Sequence, residues 1–252
     1  MPAYVSHTIM ARDVYKKINN KIVNKDYMIT FSLGGDLSKY SKCRKDSHNR
    51  LLDEFIYNMA DYMKENNLAY DGECLGVLYG HICHVIMDTT IHPLIRKVDR
   101  TCKKNKSNHT LIELYYDNYL SIKHYNLKIN KHNNKELFKG KNNKKISKLL
   151  NYTYKKTYNC DNLSRYYKFN IWLYKKIRFL YLLVPFKLLK KFSGMNIFLE
   201  DNKMIDLINE DNSIEYRDTE NRVSNKDLNE LYDLSVTKAI NYIKKINDYL
   251  YK

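Results

Sequence analysis

Histidines and carboxylates recur at helical spacing along the first half of the chain. Residues 80–93 read GHICHVIMDTTIHP, three histidines and one aspartate in fourteen positions of a protein with eight histidines in all. On an α-helix, side chains three or four positions apart share a face. His84 and Asp88 therefore point the same way, His81 lies beside them, and His92 at the far end can turn toward them. HTLIE puts His109 and Glu113 at the same four-residue spacing further along. Two such helices side by side present imidazoles and carboxylates to one space, and neutral imidazole nitrogen with carboxylate oxygen is the donor set that zinc and similar borderline cations take. Upstream, His7 in AYVSHTI, Asp36 in SLGGDLSKY and His48 in KDSHNRL offer further donors. One such histidine met alone is more often a surface or hydrogen-bonded core residue; two His/carboxylate pairs of equal spacing favour a metal centre.

The elements that must position these donors are helical. SHNRLLDEFIYNMADYMKENN, from Ser47, sets Leu51, Leu52, Phe55, Ile56, Met59 and Met63 on one face. From Glu73 to about Thr90 the pattern continues through Leu75, Leu78, Ile82 and Val85 or Ile86, and Pro93 disfavours αR at His92, which predicts the helix end there. Another helix opens near Ser107 or Asn108, either of which can cap it, and runs through Ile112, Tyr116, Tyr119 and Leu120.

Between Lys123 and Lys156 eleven lysines face a single acidic residue, Glu136, which reads as a solvated basic connection. Residues 161–199 mix Tyr166, Tyr167, Phe169, Trp172, Phe179, Tyr181, Phe186 and Phe192 with Lys and Arg. An acidic loop around 200–233 leads into a closing amphipathic helix, DLSVTKAINYIKKINDYL. With seven Gly and three Pro in 252 residues, few turns are encoded, so the expected fold is all-α. A 44% hydrophobic content suffices for one core. The expected organisation is one domain over 1–252, with a metal-binding half at 1–125, a basic connection at 126–160 and a C-terminal helical half at 161–252.

A net charge of +16 suits an anionic partner, either nucleic acid or a phospholipid surface, although Lys, Asn, Tyr and Ile are also what an AT-rich genome supplies. The five cysteines are odd in number and include no CxxC pair, which predicts reduced thiols rather than a disulfide framework or a zinc ribbon. The first residues contain no apolar stretch of signal-peptide type, and FLYLLVPF at 179–186 is too short to cross a bilayer. A cytoplasmic location is the resulting expectation.

HVIMDTTIHP, followed by HTLIE and preceded by AYVSH, an isolated GD and a DSH, resembles the zinc-dependent phospholipase C family. That family includes bacterial phospholipases C and the amino-terminal domain of glycosylphosphatidylinositol-specific phospholipase D, and is related more distantly to the single-strand-specific fungal nucleases. The likeness spans roughly residues 1–125 in motif order. It implies a multi-helix bundle with two or three zinc ions at the bottom of a cleft. Carried over by motif, Asp36, His48, His84 and Asp88 hold one ion, His92, His109 and Glu113 a second, and His7 with Asp88 a third, so that Asp88 bridges. Secreted members complete the third site with an N-terminal tryptophan, which has no counterpart among the first residues here. The step from Asp88 to His92 is shorter than in the best-known secreted phospholipases and similar to a cytoplasmic branch. His81 matches no ligand position and reads as a packed histidine; Cys83 reads as a buried thiol.

The resemblance implies phosphodiester hydrolysis by a metal-bound hydroxide, with Asp36 able to orient or deprotonate the water. The expected substrate is a phosphodiester, with a phospholipid head group as one candidate, although a cytoplasmic location argues against bulk extracellular phospholipid. The aromatic and basic segment from Tyr166 to Phe192 has three readings: core under the amino-terminal helices, a peripheral membrane contact with Trp172 or Phe179 inserting, or a track for a nucleic-acid strand. Two rivals to the phospholipase-like hydrolase remain, a single-strand nuclease and a non-catalytic binding protein whose metals only hold the helices together.

Overall fold

The computed structural model of the chain describes residues 4–43, 51–101, 109–127, 137–183 and 214–252. Among them the fold is all-α. Its helices are α1 (Tyr4–Ile18), α2 (Lys25–Phe31), α3 (Leu52–Glu65), α4 (Gly72–Thr101), α5 (His109–Tyr125), α6 (Lys144–Tyr158), α7 (Leu163–Leu183) and α8 (Leu228–Leu250). A 3-10 turn, Gly34–Ser38, follows α2, and a two-stranded antiparallel hairpin pairs Tyr216 with Ser224 and Arg217 with Val223. His48, Ser107, Asn108, Phe186, Phe192 and most of the acidic loop lie outside the described residues.

The helix α4 is the central post, with α2 and α8 along its sides and α1, α3 and α5 completing the packing. Glycines at four-residue steps allow α2 to lie close: a Cβ on Gly76 would stand 2.6 Å from Asn24 O, and one on Gly80 would stand 2.7 Å from Met28 O. Asn24 caps α2 by accepting from the Asp26 and Tyr27 amides. Asp227 and Glu230 form a reciprocal capping box that starts α8. By length and apolar content α4 could span a bilayer, yet most of it is buried among the other helices.

Several expectations need correction. The helix carrying the histidines does not stop at His92 but passes through Pro93 to Thr101. A proline inside a helix costs about 3 kcal/mol, and here Ile91, Leu94, Ile95 and Val98, each at most 3% exposed, offset it by burial on both sides of Pro93 at roughly 1.5–3 kcal/mol apiece. Part of the basic connection is the helix α6, whose Ile146, Leu149, Leu150 and Tyr154 are buried while its lysines cover the outer face. Leu51 is not on the core face of α3; it is 47% exposed with φ of 52° just ahead of the first turn. Lastly, Cys43 and Cys160 form a disulfide across a separation of 117 residues, which no local spacing could reveal; Cys74 and Cys83 are free and buried.

The closing helix also starts earlier than expected, at Leu228, because the capping box supplies a start that the acidic composition hides. The aromatic segment divides between two environments. Tyr167, Ile171 and Tyr174 of α7 are in the core, while Phe169 and Trp172 are exposed.

Candidate metal centre

The helix α4 supplies three donors on one stripe, His84, Asp88 and His92, each four residues from the next. Asp88 sits in the middle and uses both oxygens. Its Oδ2 lies 3.4 Å from His84 Nε2, and its Oδ1 lies 3.3 Å from both His92 Nε2 and His7 Nε2. Burial pushes the Asp88 carboxyl up, but the facing His84 and His92 imidazoles with the His7 contact outweigh it and hold the group well below the usual carboxylate range. Burial lowers and the Asp88 carboxylate raises His7 and His92, and both end above the ordinary imidazole value.

Two donor groups flank Asp88. His7, Asp36 and His84 have ligand atoms within 4.8 Å of one another, and so do His92, His109 and Glu113. In the second group Glu113 Oε1 is 2.9 Å from His109 Nε2 and 3.6 Å from His92 Nε2. The side chains of His7, His84 and Glu113 are 3–4% exposed, whereas Asp88, His92 and His109 are 18–30% exposed. The solvent-facing side of the cluster is therefore at His92 and His109. Glu113 Oε2 and His7 Nδ1 are buried with no hydrogen-bond partner among the described residues. Buried polar atoms are normally satisfied, and a cation would use the Glu113 lone pair. In ligand type, grouping and this orphaned oxygen, the residues present fit zinc.

Long-range contacts put the remaining donors in place. Asp117, fully buried on α5, accepts from the amides of Val5 at 3.1 Å and Ser6 at 2.8 Å. These are orphan amides of the first turn of α1, so the carboxylate anchors that helix one residue before His7. The turn that carries Asp36 is tied to α7: Tyr167 donates to Gly34 O at 2.9 Å, and Asn170 Nδ2 donates to Leu37 O and Lys39 O, each at 3.0 Å. Gly34 has φ of +39°, and a Cβ there would stand 2.4 Å from His84 Cγ and Cδ2. Only glycine lets the turn close onto that ring.

His81 faces away from the donor groups. Its Nδ1–H donates to Val77 O at 2.9 Å, and its Nε2 is 3.0 Å from the Tyr167 hydroxyl. Phe31, Phe55 and Tyr167 surround the ring. Burial lowers its pKa to about 4, so it stays neutral.

The structure thus brings together seven of the residues singled out in the sequence: His7, Asp36, His84, Asp88, His92, His109 and Glu113. His48 is outside the described residues. The grouping differs from the motif carry-over in one respect, since His7 stands with Asp36 and His84 rather than apart from them. Sequence reasoning missed Asp117, although it lies four residues beyond Glu113 on the same stripe. It also missed Gly34, Tyr167 and Asn170; the Gly34–Gly35 pair was the one local signal, and the α7 residues carried none.

Fold and donor set define an all-helical protein with a candidate zinc centre between its helices. The chain belongs to the zinc dependent phospholipase C family, whose model matches residues 6–159. That stretch begins one residue before His7 and runs past Glu113 to the end of α6. Neither the curated proteins nor the solved structures gave a match.

Proposed function

We propose that this chain is a zinc-dependent hydrolase that cleaves phosphodiester bonds in the manner of a phospholipase C, with a phospholipid head group as the substrate class. The observation that carries this reading is Asp88, an ionised carboxylate shared between two His/carboxylate groups. A carboxylate can serve two cations at once, whereas a neutral imidazole offers one lone pair. His7, Asp36 and His84 would hold one ion, with His48 expected beside them, and His92, His109 and Glu113 another; whether the count is two or three is part of the proposal. When bound, zinc lowers the pKa of a coordinated water and offsets the charge that builds on the phosphoryl oxygens.

The chain's own residues perform the remaining tasks. Asp36, half-buried on its tied turn, would accept the proton from the attacking water through the oxygen that it does not give to the ion. His92 and His109, at the solvent-facing side, border the path by which substrate enters. The Asp88 charge holds the surrounding imidazoles in register through direct contacts at 3.3–3.4 Å.

The test pairs metal content with turnover. Protein purified without chelators is expected to carry more than one zinc per chain and to hydrolyse a chromogenic phosphodiester, while Asp88→Asn loses both, turnover by at least about a hundredfold. Zinc-dependent melting with no turnover of any phosphodiester would instead favour a purely structural centre, and preferential cleavage of single-stranded DNA the nuclease reading.

We further propose that residues 1–252 form one domain and that the protein is cytoplasmic. The Cys43–Cys160 bond pulls against the second, because disulfides persist mainly in oxidising compartments. Alkylation of protein taken directly from its native cells, read by mass, separates the two.

A further inference from the structure

One stripe of α7 faces outward and mixes rings with positive charge. Arg165, Lys168, Phe169, Trp172 and Lys176 follow at helical spacing and are all exposed. Phe169 is 49% and Trp172 54% exposed, and Tyr40, just past the 3-10 turn, is 61% exposed. These rings touch in series: Tyr40 meets Phe169 edge-on with centroids 6.2 Å apart, and Phe169 meets Trp172 at 6.0 Å. Lys39 Nζ lies 5.5 Å from the centre of the Tyr40 ring. No acidic residue occurs in Leu163–Leu183 or in residues 37–43. A cluster of exposed aromatics rimmed by cations marks a surface built for a partner.

The geometry points to one kind of partner. Rings that track a nucleic-acid strand offer successive open faces on which bases stack. Here Phe169 has Tyr40 packed edge-on at an interplanar angle of 70° and Trp172 on another side. The three rings pack on one another at interplanar angles of 70° and 31°, a clustered apolar knob rather than parallel platforms spaced for stacking. Aromatic rings of this sort lodge at the level of lipid head groups, and Lys and Arg beside them are drawn to anionic lipid. The knob is also joined to the metal centre. Asn170, between Phe169 and Ile171, holds the turn that carries Asp36 by two hydrogen bonds of 3.0 Å, and Tyr167 holds Gly34.

We propose that Tyr40, Phe169 and Trp172 form an interfacial anchor that inserts among the head groups of an anionic bilayer, with Lys39, Arg165, Lys168 and Lys176 contacting lipid phosphates. The anchor deepens the phospholipase C reading and rests on it for the class of partner. Because the anchor and the Asp36 turn are tied, insertion sets the metal centre at a fixed position relative to the membrane surface.

Trp172 is the only tryptophan in the chain, so its emission reports on this surface alone. The zinc-loaded protein is titrated with vesicles of a phosphonate analogue of phosphatidylcholine, in which carbon replaces the glycerol-side bridging oxygen so that no scissile P–O bond remains, with and without the matching analogue of phosphatidylglycerol. The expected result is a blue shift with the anionic vesicles, quenching by lipids brominated on the acyl chain, and a partition that weakens with salt. A Tyr40→Ser/Phe169→Ser variant, which keeps the reporter, is expected to partition about tenfold or more weakly, with its melting temperature and its turnover of a soluble phosphodiester unchanged. An emission indifferent to vesicles, a variant that partitions like the parent, or a shift produced by single-stranded DNA and not by vesicles would each overturn the anchor. Vesicle binding without any phosphodiester turnover would sink the hydrolase reading and leave the anchor standing; turnover without vesicle binding would do the reverse.

Discussion

Replacing His81 with glutamine tests whether the imidazole behind the candidate metal centre is kept neutral by burial. His81 is 2% exposed, and burial lowers its pKa from 6.5 to about 4. In the unfolded chain the ring takes up its proton near pH 6.5. Between those values the unfolded state binds more protons than the folded one, so stability is present in full above about pH 6.5 and is lost as pH falls toward 4. At pH 5 the unfolded ring is roughly 30:1 protonated and the folded one about 1:10, which corresponds to a loss of about 2 kcal/mol relative to pH 7. His7 and His92, raised by Asp88, contribute slopes of opposite sign, but they do so in both proteins and cancel in the comparison. Urea unfolding of the parent and of His81→Gln at pH 7 and pH 5, at matched zinc, reads the effect. Parent stability minus variant stability is expected to fall by about 2 kcal/mol between the two pH values. A difference constant to within about 0.5 kcal/mol would refute a buried neutral imidazole at this position.

Two further substitutions probe how the centre is framed. Gly34→Ala puts a methyl group 2.4 Å from the His84 ring on a backbone with φ of +39°; an expected loss of about 1–3 kcal/mol in stability comes with roughly tenfold weaker zinc retention in chelator competition. Cys43→Ser opens a loop closed across 117 residues, worth at most roughly 4–5 kcal/mol by chain entropy. The melting temperature should drop, and should drop equally when the parent is reduced; a parent indifferent to reductant would argue against a stabilising role for the bond.

What could be read from the sequence is what helical spacing encodes. His84, Asp88 and His92 lie within one helix, and His109 with Glu113 within another, so their mutual faces follow from residue counts alone. His7 and Asp36 come from separate segments; their residue types mark them as donors, but only the likeness in motif order assigns them to the same centre. The features that went unread depend on tertiary contact. Pro93 is accommodated because residues on both sides of it are buried. The α6 helix is masked by its own lysines, which dominate the composition around the apolar period at Ile146, Leu149, Leu150 and Tyr154. The partner of Cys43 is settled by chain folding and by nothing in its neighbourhood.

The reach of these contacts bears on how large the functional unit is. The family match ends at residue 159, yet three of the ties that frame the Asp36 turn originate beyond it. Cys160 bonds Cys43, five residues after the turn; Tyr167 hydrogen-bonds Gly34; Asn170 bonds Leu37 and Lys39. Asp36 and His84 belong to the same donor group, and Gly34 is pressed against His84. The proton-accepting role proposed for Asp36 needs a fixed distance from its water, and a displacement of about 1 Å can cost two orders of magnitude in rate. In this chain that precision rests on α7, the helix that also exposes Phe169 and Trp172. Positioning of Asp36 and contact with the proposed membrane partner are thus assigned to opposite faces of one helix, outside the stretch that carries the metal donors.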